Sequence, residues 1–365
     1  MKEKVVVAMS GGVDSSVSAA MLVDKGYDVV GVSMQLWDYS EAEGERIATA
    51  GSCCSLDDLY DARRVADALN IPFYVMNMEA AFNKEVVDYF VKSYLSGETP
   101  NPCTKCNQEL KFKTLLRKAR ELGAAKLATG HYARIVQAKD GSMRLLKAVD
   151  LDKDQSYFLF TMTQDELKSV LFPLGETTKA EARRYAERLG LRTAHKEESQ
   201  EICFVTGGSY ADFIGERTSL GATSGDIVDT AGNKLGTHLG LHRYTIGQRK
   251  GIGIGGEHGP YYVVRLDMKN NRLVVGADAD LMSAGLVARD AHWVNSPPKE
   301  NETLVAKARY RHAGVECSVS VDCGRGDRLR VRFSSRERAV TPGQAVVFYR
   351  GDEVVGGAWI ESAAN

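Results

Sequence analysis

The chain has 365 residues, enough for two or three domains at roughly 150 residues each and for a sizeable core without metal or disulfide staples. Hydrophobic residues make up 44% and charged residues 26%, which excludes a disordered, collagenous or low-complexity protein. No apolar run approaches the roughly 20 residues that span a bilayer, so no membrane partner is expected. The net charge of −1, from 47 Lys+Arg against 48 Asp+Glu, excludes a uniformly basic surface. Between Asn301 and Arg350, however, ten Lys/Arg stand against five acids. That local excess suits a polyanion footprint or strands with basic solvent faces.

The opening, Met1-Lys-Glu-Lys-Val-Val-Val, has neither a secretory nor a transit character. Seven cysteines, an odd number, do not suggest an extracellular disulfide framework. A cytoplasmic protein with reduced or catalytic thiols is expected.

Taken in chain order, the first part alternates strand and helix. Lys4–Met9 is a continuous apolar run, as in a parallel strand covered on both faces. Val13–Lys25 has helical spacing and stops at Gly26. A strand at Asp28–Leu36, a capping box at Ser55–Asp58, a helix at Leu59–Leu69 and a strand at Phe73–Met78 follow. Helices are expected over Ala80–Leu95 and Leu110–Leu122, then a strand at Lys126–Thr129. The order implies an α/β fold with a doubly wound parallel sheet. Arg134–Val149 reads as a hairpin turning at Asp140-Gly141. Helical segments return at Ser156–Met162, Gln164–Leu171 and Lys179–Leu189. Beyond about residue 206 glycines cluster and strands shorten, with only Tyr210–Glu216 helical, which implies small β-rich domains. The expected division is 1–206, 207–280 and 281–365.

Ser10-Gly-Gly-Val-Asp-Ser15 joins the first strand to the first helix. Its glycines allow a tight turn and close approach of a ligand. The helix start offers amides and a positive dipole end to a phosphate, and Ser10 and Ser15 add hydroxyls. Asp14 suits such a site if a divalent cation bridges carboxylate and phosphate. The segment is neither a Walker A loop nor a dinucleotide GxGxxG. SGGVDS in this place resembles the signature of the ATP-pyrophosphatase (PP-loop) superfamily. That resemblance implies cleavage of ATP between its α- and β-phosphates and transfer of AMP to a carbonyl-type oxygen, followed by nitrogen or sulfur insertion.

The cysteines separate those outcomes. Asn101-Pro-Cys103-Thr-Lys-Cys106-Asn107 is expected as a loop between two helices, kept non-helical by Asn-Pro, with Cys106 before a helix start that lowers its pKa. Cys203 lies 97 residues further on, in Ser199–Phe204. Sulfur transfer needs one thiol to carry a persulfide and another to release the sulfur. Cys317 and Cys323 read as structural, and Cys53 and Cys54 lean the same way.

Ten landmarks in order resemble the tRNA-specific 2-thiouridylase family essentially from end to end. They are Ala8–Ser15, Met34, the Cys-Cys pair before Leu56-Asp-Asp, the Asn101–Phe112 loop, Thr129–Arg134, Lys153–Leu159, Glu198–Phe204, Thr245–Gly251, Ala308–Arg311 and Thr341–Tyr349. The resemblance implies an adenine-nucleotide α-hydrolase-like PP-loop domain followed by two β-rich domains, the central one contacting tRNA and the last barrel-like. It implies ATP and Mg²⁺ as cofactors, with ATP bound by Ala8, Met9, Ser10, Gly11, Gly12, Val13, Asp14, Ser15, Met34 and Gly130, and Mg²⁺ reached by Asp14 through the phosphates. Cys106 would be the nucleophile and Cys203 the persulfide carrier, able to form a disulfide in the cycle. Asn101, Pro102, Cys103 and His131 would lie at the target base, and Lys153, Asp154, Gln155, Arg309, Tyr310 and Gln344 would touch tRNA. The partners implied are tRNAs with a wobble uridine, such as Lys, Glu and Gln acceptors, and a persulfide donor, a cysteine desulfurase or sulfur-relay protein.

One departure matters: many members carry Asp where this chain has Cys103. Cys103, Cys106 and Cys203 could then hold three corners of a [4Fe-4S] cluster. A nitrogen-inserting synthetase, or a non-catalytic RNA-binding or iron–sulfur protein with a dead loop, are the other classes. No glutaminase part is visible for the first, and intact Ser10, Asp14 and Ser15 speak against the second.

Overall fold

The computed structural model describes residues 2–37, 56–196, 202–205, 208–218, 223–254, 260–299, 302–321 and 328–365. Cys53, Cys54, Cys323, Ser55 of the expected capping box and most of Glu198–Phe204 lie outside them. Two compact units form: residues 1–87, 102–207 and 352–355 in one, and residues 88–101, 208–351 and 356–365 in the other.

The first unit is built on strands β1 (Lys4–Ala8), β2 (Asp28–Gln35), β3 (Phe73–Asn77), β4 (Lys126–Ala128) and, after the hairpin β5 (Ala133–Gln137) and β6 (Met143–Lys147), the short β7 (Val170–Leu171). Sheet order is β3-β2-β1-β4-β7, all parallel. Val5, Val6 and Val7 are fully buried, as a central parallel strand requires, and each contributes up to about 1.5–3 kcal/mol by leaving water. Helices α1 (Val13–Asp24) and α2 (Leu56–Ala68) supply Val17, Ala19, Leu22, Ala62, Val65 and Ala66 to one core with β1. Residues expected to be wholly helical at Gln164–Leu171 end instead as β7, where β-branched Val170 pairs with Leu127.

The chain order places β2 and β3 on one side of β1, then β4 on the other. The sheet therefore has a topological switch point between β1 and β4, where α/β sheets form a crevice at the carboxyl ends of the strands. The loops leaving those two strands are Met9–Gly12 and Thr129–Tyr132.

The second unit contains β8 (Gly225–Val228), β9 (Lys234–His238), β10 (Tyr262–Asp267) and β11 (Arg272–Gly276), in sheet order β10-β11-β8-β9. Ile227, Leu241, Tyr244, Val263, Leu273 and Val275 form its core. It also contains β12 (Met282–Trp293), β13 (Leu304–Lys307), β14 (Val315–Val321), β15 (Arg328–Arg338), β16 (Ala345–Arg350) and, from Gly356 on, β17 (Glu353–Ala364). The order β12-β15-β14-β13-β16-β17 closes through β12–β17 pairing into a barrel. Leu329, Val331 and Phe333 face inward while Arg330 and Arg332 are exposed. The C-terminal basic excess is thus partly the solvent face of an alternating strand. Arg328, Arg338 and Arg350 are paired with Glu361, Asp278 and Glu302.

Candidate active site

Gly11 has φ +73°, and a Cβ there would lie 2.1 Å from the Asp58 carbonyl oxygen, so only glycine lets the loop pass α2. Ser15 Oγ donates to the Gly12 carbonyl at 3.1 Å and accepts from the Ser10 amide at 3.1 Å. Ser16 Oγ donates to the same carbonyl at 2.8 Å. These bonds fold the loop onto the first turn of α1. The N-cap is Gly12, which has no side chain to cap that turn, so its amides are left for an anionic ligand. Gly130, at the end of β4, closes the other side: a Cβ there would lie 2.8 Å from the Ser15 amide nitrogen.

Ala8, Met9, Ser10, Gly12, Val13, Asp14, Ser15, Met34 and Gly130 line one cavity of about 290 Å³ at this switch point. Nine of the ten residues expected to bind nucleotide thus share a wall, and Gly11 shapes the turn. Val32, Asp58, Lys111, Thr129, His131, Gln155 and Lys196 complete the lining. Of these, Lys196 follows no motif in the sequence, although Asp58 and Lys111 fall within quoted landmarks.

Asp14 has two partners of its own in the fold. Lys179 Nζ donates to both of its oxygens at 2.8 Å, and Tyr132 Oη donates to Oδ1 at 2.8 Å. Lys179 is 8% exposed and rises at the start of a helix, Lys179–Arg188, capped by a Thr178–Glu181 box. Among the described residues no three His, Cys, Asp or Glu side chains form a group able to hold a metal ion. Cys103, Cys106 and Cys203 thus form no such group among the described residues.

A second lysine ties the loop to α2. Lys196 Nζ donates to Asp58 at 2.6 Å, Asp61 at 2.7 Å and the Gly11 carbonyl at 3.2 Å. Burial alone would push its ammonium down, but the bonds to Asp58 and Asp61 outweigh it and the pKa lies above the ordinary lysine value. His131 is buried between Phe112 and Phe172 and shares a hydrogen bond of 2.7 Å with Thr129. Burial, aided by nearby Lys111, holds its pKa well below the usual value, so it is neutral at pH 7.

The cysteine region departs from the expected loop. Pro102–Lys105 is helical and runs directly into a π-helix, Cys106–Leu115, and then Leu116–Glu121. Pro102 restrains Asn101, but its own fixed φ suits a first helical residue, so it begins the helix rather than barring it. Cys106 consequently sits within a continuous helical run and not before a helix start at Leu110. Cys103 is exposed; Cys106 and Cys203 are half-buried. Asn107 Nδ2 donates to the Phe158 carbonyl at 3.2 Å, fixing the helix next to Cys106. Cys203 lies in a turn whose Phe204 packs against Trp37 and Phe82.

The residues expected at RNA divide by environment. Arg309 is exposed and Tyr310 half-buried in a turn after β13, where an alternating strand would not have displayed them together. Asp154 is spent internally, accepting from the Ala148 and Ser156 amides and the Ser156 hydroxyl. Gln155 accepts from the Tyr132 amide at 3.0 Å and faces the nucleotide cavity, while Lys153 is half-buried. In the second unit Gln344 Nε2 donates to the Thr99 and Pro100 carbonyls at 3.0 and 3.2 Å. Arg289 grips both oxygens of Glu98 at 2.8 and 3.0 Å. These contacts hold the segment that ends at buried Asn101.

An uncapped helix start, loop hydroxyls and a close glycine at the switch point of a parallel sheet define a nucleotide-binding enzyme of the PP-loop class. Residues 3–207 match the family described as tRNA methyl transferase HUP domain, 211–277 the tRNA methyl transferase PRC-barrel domain, and 283–360 the aminomethyltransferase beta-barrel domain. The chain is 54% identical to the tRNA-specific 2-thiouridylase MnmA of Geobacter metallireducens, over 99% of this chain and 98% of that one. The same-named proteins of Geotalea uraniireducens and Rickettsia prowazekii are 52% and 46% identical, over 100% and 98% of this chain and 96% and 98% of theirs. The chain belongs to the tRNA-specific 2-thiouridylase MnmA family.

Proposed function

We propose that this protein is an ATP-dependent tRNA-uridine 2-sulfurtransferase, acting on the wobble uridine. The observation that carries the reading is the convergence of the SGGVDS loop, Met34 and Gly130 on one cavity in a chain of this family. ATP lies with its adenine toward Met34 and its phosphates on the loop and the start of α1, bringing any Mg²⁺ on its own phosphates. O2 of the flipped-out uridine attacks the α-phosphorus. The new O2–P bond replaces the P–O bond to pyrophosphate, which leaves, and the N3 proton passes to solvent.

Cys203 carries the sulfur as a persulfide loaded by a donor protein. Its terminal sulfur adds to C2, and the C2–O bond breaks to release AMP. Cys106 thiolate then attacks the Cys203 sulfur, leaving 2-thiouridine and a Cys106–Cys203 disulfide that an external thiol reduces. Persulfide chemistry is favoured over a cluster because one thiol to carry the sulfur and a second to release it suffice for the transfer. Asn101, Pro102 and Cys103 at the target base, and Arg309 and Tyr310 on the RNA, complete the proposal, with 1–206 as the catalytic part and 207–280 and 281–365 as tRNA-gripping parts.

The test is conversion of ATP to AMP and pyrophosphate with and without a wobble-uridine tRNA. Turnover that requires the RNA supports the reading. RNA-independent turnover, or turnover that requires ammonia, points to a nitrogen-inserting synthetase.

A further inference from the structure

Three ammonium groups stand in or against the nucleotide cavity, and their partners set them apart. Lys179 is committed to Asp14 and Lys196 to Asp58 and Asp61. Lys111, half-buried in the cavity wall, has no carboxylate within ion-pair distance among the described residues. His131 beside it is neutral, so this wall's positive charge is that of Lys111. Its place in the helix is equally telling. In a π-helix residue i+5 lies about one turn beyond residue i, so Lys111 stands one turn on from Cys106.

We infer that Lys111 is a catalytic residue of nucleotide activation, its ammonium contacting the α-phosphate of bound ATP. The inference rests on the ATP reading above. The loop amides and the start of α1 take the outer phosphates. The α-phosphate is the one that must face the thiol-bearing helix, because the AMP it becomes departs from the carbon that sulfur attacks. Lys111 keeps its proton throughout; it neutralises charge gathering on the α-phosphate oxygens as pyrophosphate leaves and again as AMP leaves. Lys179 and Lys196 position the loop through Asp14, Asp58 and the Gly11 carbonyl.

The test is single-turnover pyrophosphate release from ATP with tRNA and without sulfur donor, in wild type, Lys111→Ala and Lys111→Arg, alongside ATP affinity by calorimetry. Loss of one preorganised charge is expected to slow release about 100-fold or more in Lys111→Ala. ATP affinity should fall much less, and Lys111→Arg should recover part of the rate. Wild-type release rates in Lys111→Ala, or equal losses in Ala and Arg variants that still bind ATP, would overturn the inference alone. No RNA-dependent release from wild type would overturn it together with the ATP reading.

Discussion

Around the nucleotide cavity the backbone does the organising, whereas around the thiols side chains from distant segments do it. Gly11 and Gly130 let main chain approach main chain, and Ser15 and Ser16 bond within five residues of themselves. Cys106 is fixed through Asn107 to Phe158, and Cys203 through Phe204 to Trp37 and Phe82. The first site is preorganised by close main-chain approach and short-range hydroxyl bonds, braced by Lys179 and Lys196. The second places two half-buried thiols on separately anchored segments, a design suited to groups that exchange bonds with a carried sulfur and with each other.

The sharpest way to break this contrast is to remove the thiols. Cys106→Ser and Cys203→Ser should each lower thiolation roughly a thousandfold or more, as loss of a nucleophile does, while RNA-dependent pyrophosphate release continues. Cys103→Ser, an exposed position, should cost only a few-fold. Parallel loss of pyrophosphate release in the first two would show that the two sites are not separable.

Glycine substitutions probe the other half. Gly130→Ala should force the loop amides away from their places and weaken ATP binding by about 1.4–2.8 kcal/mol, about 10- to 100-fold by calorimetry. Gly26→Ala, with φ +84° but nothing within 4 Å of the added carbon, should cost stability alone and leave ATP affinity unchanged.

The nucleotide half was legible because its geometry is written in contiguous residues. Two glycines, flanking serines and a strand-to-helix transition sufficed for Ser10–Ser15, and the βαβ order sufficed for the parallel sheet. Lys179 and Lys196 were not legible, because each is an ordinary lysine until the fold brings it 165 or 138 residues back to Asp14 or Asp58. The ion pair of Asp14 was not legible for the same reason: its partner is invisible along the chain. The Cys103–Cys106 segment was misread as a loop because Asn-Pro restrains the residue before proline while leaving proline free to start a helix. The hydrogen bonds of Gln344 and Asp154 to backbone groups were likewise not legible along the chain.

Lys179→Met isolates that missed partner. It leaves the Asp14 carboxylate with Tyr132 alone and should cost about 1–3 kcal/mol, the low side of a buried-pair loss because Asp14 is 31% exposed. A chemical denaturation midpoint checks it; unchanged stability would mean that Lys179 contributes no net energy.

His131 gives a smaller, pH-dependent effect. Its folded pKa lies below 6.5, so the unfolded chain binds the proton first as pH falls. Its share of stability is complete above 6.5 and is lost as pH drops from there toward the folded value, at no more than about 1.4 kcal/mol per pH unit. His131→Asn should flatten the wild-type decline in melting temperature over that window. Cys317 sets the lower bound: burial pushes its thiol up to about 12. It should stay unlabelled by a thiol reagent that modifies Cys103, and Cys317→Ala should cost only about 1 kcal/mol.

Nucleoside mass spectrometry of a wobble-uridine tRNA, incubated without oxygen with protein, ATP, Mg²⁺ and a persulfide donor after metal removal, bears most directly on the chemistry. An oxygen-to-sulfur mass shift that requires Cys106 and Cys203 but not Cys103 is the expected result. A shift that requires all three cysteines and returns in wild type only with iron and sulfide would contradict the persulfide route, and AMP formation without any thiolation would contradict sulfur transfer itself.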